Sequence, residues 1–254
     1  MKSLFLSAAL SFCCLAPVIA EDWGTVTGRI VVTGTIPEPV VLHKKGADIK
    51  DKEVCAAEDV MSEELLIDKE TKGLANVFVY LVKAPKSIHP DLKKPEKATM
   101  IFDQKGCMFI PHCMVVLGGQ SVEVISHDNI AHNTHTYPIK GTAKNVLIAP
   151  NTPEGKGEPF DCKVGESLPF KVACDFHSWM NAYWLVVDHP YAAVTDKEGN
   201  FTIPNLPVGE HEFRVWHERV GYVERKYKIV VKKGDNAQKP LEVAADKLKG
   251  EVKK

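Results

Sequence analysis

Two short strings hold the residue types best suited to chemistry. One is Cys174-Asp175-Phe176-His177-Ser178-Trp179-Met180; the other, from Ser126 to His135, reads SHDNIAHNTH. The first string places a thiolate, an imidazole and a thioether within seven residues. Copper that cycles between Cu(I) and Cu(II) is served by two imidazoles and one thiolate in a trigonal set with a long, weak axial thioether. Imidazole suits both oxidation states, the thiolate bonds covalently, and the axial ligand tunes the potential, so little reorganisation accompanies electron transfer. Cys174, His177 and Met180 supply one donor of each type, and the second imidazole must come from elsewhere. His132, about forty residues upstream of Cys174 on the loop after the run Ser121 to Ile125, is the candidate. His112, His127 and His135 read as structural or surface histidines, with His135 the alternative to His132 if the register of that loop differs. Zinc is a competing occupant, although a methionine donor suits it less than copper.

The elements that must hold these residues read as strands. Gly24 to Val32 alternates apolar and polar residues, Ala75 to Val82 is a continuous apolar run, and Met114 to Leu117 and Ser121 to Ile125 flank Gly118-Gly119 as in a hairpin. Further strands are expected at 145–148, 167–173, 182–187, 201–203, 210–216 and 226–231, with Asp196 to Asn200 as a tight hairpin connection. Short strands separated by turn residues predict an all-β protein built of β-sandwiches. Lys86 to Lys97 and Pro150 to Pro159 are rich in turn formers and read as surface loops, and residues 236–254 read as a Lys-rich tail, a frayed helix or disordered.

Residues 1–20 combine Lys2, an apolar run from Leu4 to about Leu15 and a small-residue end at Ala20, the pattern of a secretory signal cut after Ala20. The apolar run is shorter than the roughly 20 residues a spanning helix needs, and no later stretch is long and apolar enough, so no transmembrane segment is expected in the mature chain. Of 254 residues, 234 remain after that cut, with 31 Lys and Arg (32 less Lys2) against 33 Asp and Glu. Nothing in this balance recommends nucleic acid as a partner. Five cysteines stay: Cys55, Cys107, Cys113, Cys162 and Cys174. An odd number in an oxidising compartment leaves one unpaired. If Cys174 is a metal thiolate, the other four can form two disulfides, and Cys55–Cys107 with Cys113–Cys162 is the pairing preferred among the three possible.

The run AVTDKEGNFTIPNLPVGEHEFRVWH, with Gly24-Thr25-Val26-Thr27-Gly28 far upstream, resembles the carboxypeptidase regulatory-like (transthyretin-like) β-sandwich. The C-terminal piece alone is too small for a comfortable core. The expectation is therefore a smaller, discontinuous sandwich from residues 22–86 and 190–235 with a domain of 97–189 inserted; two consecutive domains are the alternative. Within the insert, His132-Asn133 after one strand and the C-x-x-H-x-x-M string between the last two resemble the Greek-key cupredoxins, amicyanin and plastocyanin among them, with the short ligand loop of amicyanin. That resemblance implies one type 1 copper held by His132, Cys174, His177 and Met180, with Asn133 bracing the two loops. It also implies a His177 near the surface, where redox partner proteins dock beside Trp179. Asp175 and Ser178 depart from the usual loop, which often has a neutral residue and a proline there.

The expected function is an exported, periplasmic or secreted, one-electron carrier that is not an enzyme. No H-x-H motif occurs and Ala173 and Asp175 flank Cys174, which speaks against a multicopper oxidase. A copper delivery or storage protein is the alternative, and an adhesive scaffold of two β-domains is the least specific reading.

Overall fold

The computed structural model describes residues 22–249. The expected signal sequence, with its cut after Ala20, lies outside them. Among the described residues the protein is all-β, and its strands form four stacked sheets and one small ribbon. In the first sheet β1 (Trp23–Thr33) pairs antiparallel with β15 (Asn200–Pro207) and parallel with β18 (Gly234–Ala237) and β19 (Leu241–Ala244). The second runs β14 (Ala192–Val194), β4 (Phe78–Leu81), β16 (Gly209–His217), β17 (Gly221–Val231). The third runs β10 (Asn145–Ile148), β9 (His132–Thr136), β12 (Phe170–Ala173), β13 (Asn181–Val187), β7 (Cys113–Leu117), and the fourth β11 (Glu158–Asp161), β8 (Ser121–Val124), β5 (Thr99–Lys105), β6 (Met108–Ile110). The ribbon joins β2 (Val41–His43) to β3 (Val60–Met61).

Three apolar layers hold this stack together. Val26, Ile30, Phe201 and Ile203 of the first sheet meet Val79, Leu81, Phe213 and Val215 of the second. Phe102, Val122, Val124 and Phe160 of the fourth meet Met114, Phe170, Val172 and Trp184 of the third. Between the second and third sheets, Phe78, Tyr80 and Trp216 pack on Cys113, Leu185 and Val187. Because side chains alternate across a strand, β4 sends Val79 and Leu81 one way and Phe78 and Tyr80 the other; both faces are covered and all four residues are buried. This is why Ala75 to Val82 reads as a continuous apolar run rather than an alternating one. β13 does the same with Trp184 and Val186 against Leu185 and Val187.

Several expectations need correction. β7 and β8 do not form a hairpin across Gly118-Gly119: they belong to the third and fourth sheets, so the glycines turn a corner between layers. Gly119 takes a φ of 98°, and Gln120 Oε1 accepts a 2.6 Å bond from Leu117 N–H to fix that corner. The Asp196 to Asn200 turn likewise passes from the second sheet to the first, with Asp196 Oδ1 accepting from Glu198 and Asn200 N–H at 2.9 Å. Turn chemistry specifies a reversal, and the layer joined afterwards is decided by packing. Residues 236–248 are no tail: β19 and a 3₁₀ turn at Ala245–Leu248 close the first sheet, with Val243, Ala245 and Leu248 buried in its core.

Candidate metal centre

His132 opens β9 and is not on a loop; Cys174 follows β12 directly, and Met180 precedes β13. β9 and β12 are antiparallel neighbours with Ala173 opposite His135, and β12 and β13 are paired from Phe170–Trp184 to Ala173–Asn181. The segment Cys174 to Met180 is thus a short connection between paired strands. It is pulled tight by Cys174 N–H donating to the Met180 carbonyl at 3.1 Å and Met180 N–H to that of His177 at 2.9 Å. Alternation along β9 separates the two candidate histidines: His132 and Thr134 point into the core, whereas His135 points outward to Asp175, Tyr137 and Asn145.

The structure brings one imidazole nitrogen each of His132 and His177 and the sulfur of Cys174 within 4.8 Å of one another, all buried. His132 Nδ1 lies 3.1 Å from His177 Nδ1, and Cys174 Sγ lies 3.8 Å from the same atom. Both far ring nitrogens are tied to carboxylates: His132 Nε2 to Asp128 Oδ2 at 2.8 Å and His177 Nε2 to Asp51 Oδ2 at 3.0 Å. Holding Nε2 in this way fixes ring orientation and leaves Nδ1 as the free donor. Asp128 is itself anchored by the N–H groups of Gly106 (2.6 Å) and Cys107 (2.9 Å). Asn133 braces the strand against the loop: its Oδ1 accepts from Asp175 N–H at 2.7 Å and Cys174 Sγ at 3.3 Å, and its Nδ2 donates to Asp175 and Asn145. Met180 is fully buried in the same core cluster.

The electrostatics favour a protonated imidazole beside an ionised thiol, an ion pair whose imidazole must give up its proton to bind a metal. Burial pulls the His132 imidazole down, but Asp128 and Cys174 outweigh it and raise it to about 9. Burial pushes the Cys174 thiol up, yet hydrogen bonds from His132 and His177 bring it down to about 6. A thiol so held is readily given up as a thiolate, the form in which sulfur binds metals.

His177 is the main departure from expectation. It is 0% exposed, not near the surface. A segment from His43 to Asp59, carrying the helix α1 (Lys52–Cys55), lies over the Cys174 to Met180 connection: Asp51 meets His177, Lys50 Nζ sits 4.5 Å above the Phe176 ring, and His43 stacks edge-on against Trp179 at 4.5 Å. The Cys55–Cys107 disulfide fastens this cover, and each of its sulfurs lies within 4.8 Å of a His177 nitrogen. Asp51, 126 positions from His177, gives no sequence signal. Asp128 does, standing four residues before His132 within the H-D-N string.

The Cys113–Cys162 disulfide is not formed: both thiols are free and buried. Cys113 faces the layer between the second and third sheets, whereas Cys162 faces the layer between the third and fourth, so a sheet stands between them. His127 is exposed and pairs with Asp103 at 2.8 Å, and His112 is buried against Glu218.

No family model matches the chain, and no curated protein matches it. Among solved structures it is similar to a purple cupredoxin from Nitrosopumilus maritimus, at 16% identity over 34% of this chain and 98% of that one (TM-score 0.27). It is also similar to amicyanin from Paracoccus versutus, at 9% identity over 42% and 96% (TM-score 0.30). A third is the Cu-containing nitrite reductase of Thermus scotoductus, at 16% identity over 41% of this chain and 24% of that protein (TM-score 0.28).

Proposed function

We propose that the protein is an exported type 1 copper protein that passes single electrons between redox partners, with His132, Cys174, His177 and Met180 as ligands. The observation that carries this reading is the convergence of two Nδ1 atoms and one sulfur in a buried pocket with both Nε2 atoms held by carboxylates. The donor set fits copper: two imidazoles, a thiol poised to ionise and a buried thioether on the same loop. When bound, copper supplies a one-electron couple. The chain's own residues fix the rings from behind, brace the thiolate through Asn133 and exclude water. A rigid, dry donor set of this kind supports a carrier over a delivery or storage protein, which must release its metal. The role is not enzymatic in this reading.

The same reading takes residues 97–189 as a cupredoxin domain inserted in a discontinuous sandwich of 22–86 and 190–235, with the separate sheets of those segments in support. It keeps the redox partner near Trp179, and moves its contact from the covered His177 edge to the exposed Phe176 and the Lys50 beside it. No described helix is long and apolar enough to cross a membrane. Titration of the mature chain with Cu(II) tests the function: one equivalent developing an intense thiolate-to-copper band, lost in Cys174→Ser, is expected.

A further inference from the structure

The sandwich that carries the candidate ligands at one end has a cavity towards the other. β10 and β11 are the end strands of the third and fourth sheets, and the core between the sheets reaches the surface along that edge. A cavity of about 340 Å³ opens there, walled by Thr136, Phe160, Cys162, Phe170, Trp184 and Val186. Strand alternation places it: Thr136 closes β9 on the same face as His132, which opens it, and Phe170 opens β12, which ends just before Cys174. At about 3.4 Å per residue the cavity stands roughly 13 Å along the same core from those ligands. A single side chain crosses the gap between the two edge strands: Lys144 Nζ donates to the Pro159 carbonyl and lies 4.4 Å from the centre of the Phe160 ring.

The buried polar groups of the wall are matched, with one exception. The Glu166 carboxylate accepts from the Lys140 and Gly141 N–H groups, Thr136 Oγ1 is bonded to the backbone of Lys144, and the Cys162 thiol donates to the Phe160 carbonyl at 3.8 Å. Asp161 and Lys163 pair with each other at the mouth. Trp184 is the exception. Its ring is 1% exposed and edge-on to Phe102, Phe160 and Phe170, and its Nε1–H has no hydrogen-bond partner among the described residues. A buried indole N–H ordinarily finds an acceptor, and leaving it without one costs about 1–3 kcal/mol. The charged residues around the cavity balance, Lys144 and Lys163 against Asp161 and Glu166, so they select no charged ligand.

We propose that this cavity binds a small uncharged aromatic carbonyl compound, its rings seated among Phe160, Phe170 and Val186 and its carbonyl oxygen accepting from Trp184 Nε1. A ligand site of this kind is mostly apolar, with few polar groups to fix orientation, and here one donor does so. Size sets the ligand class: an apolar cavity of about 150 Å³ holds benzene, so about 340 Å³ admits two fused rings. Aromatic walls favour a flat partner, stacked or edge-on. Lys144 is the gate, since the swing of one flexible side chain widens the mouth without moving a strand. Burial pushes the Cys162 thiol up to about 11, so it stays protonated and inert beside the bound carbonyl. The site is independent of what occupies the metal centre at the other end.

The test uses the mature chain, nitrogen-15 labelled, and two probes of one shape: 2-acetylnaphthalene, which carries the acceptor, and 2-isopropenylnaphthalene, which does not. The acetyl probe is expected to saturate at one equivalent and to move the indole N–H resonance of Trp184 downfield. The isopropenyl probe should bind about five- to tenfold more weakly, the worth of one neutral hydrogen bond. Trp184→Phe keeps an aromatic ring and should bring the two probes to equal affinity. Val164→Trp, at the exposed rim where folding is least at risk, should fill the mouth and weaken both about tenfold or more. No saturable binding of the acetyl probe, equal affinity of the two probes for the parent, a preference that persists in Trp184→Phe, or binding that Val164→Trp leaves unchanged overturns the proposal.

Discussion

The two carboxylates behind the candidate ligands differ in what else they hold, and this separates metal binding from folding. Asp51 makes one hydrogen bond to His177, is one-third exposed, and sits at a φ of 52° that glycine tolerates. Asp51→Gly therefore removes the anchor without straining the backbone, and water can reach the ring nitrogen it leaves. Removing a partner of this kind costs about 10–100-fold in metal affinity, and the exposure of Asp51 sets the expectation near tenfold, about 1.4 kcal/mol. Asp128 also accepts from two backbone N–H groups and is buried. Asp128→Ala strands those donors at about 1–3 kcal/mol each, so the metal-free protein should lose about 3–5 kcal/mol, on the order of 10 °C in Tm. The assay is competition for Cu(I) against a chromogenic chelator, run beside thermal unfolding of the metal-free proteins. Asp51→Gly should weaken copper and leave Tm near that of the parent; Asp128→Ala should lower both. Unchanged affinity in a folded Asp51→Gly protein would refute the idea that the far nitrogen of His177 is held so that the near one can bind.

Denatured, metal-free mature protein should titrate three thiols with Ellman's reagent, those of Cys113, Cys162 and Cys174, whereas two disulfides would leave only one. Gly199→Ala should lower Tm in a circular dichroism melt, because φ is 80° and a Cβ there would lie 2.2 Å from the Ile30 carbonyl oxygen; the backbone strain alone is about 1–3 kcal/mol. Trp184→Ala should cost about 3–5 kcal/mol in denaturant unfolding, since the ring is buried edge-on to Phe102 and Phe160. His189 is buried, which depresses its imidazole below the ordinary value. The unfolded chain then takes up the proton first, so this residue's contribution to stability is present above about pH 6.5 and lost as the pH falls below it. Urea melts at neutral and acidic pH should show His189→Gln less acid-sensitive than the parent.

The candidate site was legible where chemistry is local in sequence. Cys174, His177 and Met180 announce themselves by spacing, because a short connection between paired strands must bring its own residues together. The choice of His132 over His135 was hidden in the phase of one strand: once His132 is seen to begin β9, alternation puts His135 on the outer face. What was not legible is whatever depends on layer stacking. Ala75 to Val82 reads as a buried strand without saying what lies on its two faces, and Gly118-Gly119 reads as a turn without saying that the chain changes sheet there. The cover over His177 rests on Asp51 and on a disulfide spanning 52 positions, contacts that no local pattern encodes. The strand at Gly234–Ala237 was missed because it carries no apolar side chain larger than the Ala237 methyl and is a strand only by virtue of β1 beside it.

The central claim is tested most directly by the optical and electron spin resonance spectra of the mature protein loaded with one equivalent of Cu(II). A trigonal thiolate site gives an intense visible charge-transfer band and an unusually small parallel copper hyperfine splitting, both lost in Cys174→Ser, and that is the result expected here. A faintly coloured protein with an ordinary tetragonal copper spectrum, unaltered by Cys174→Ser, would contradict it.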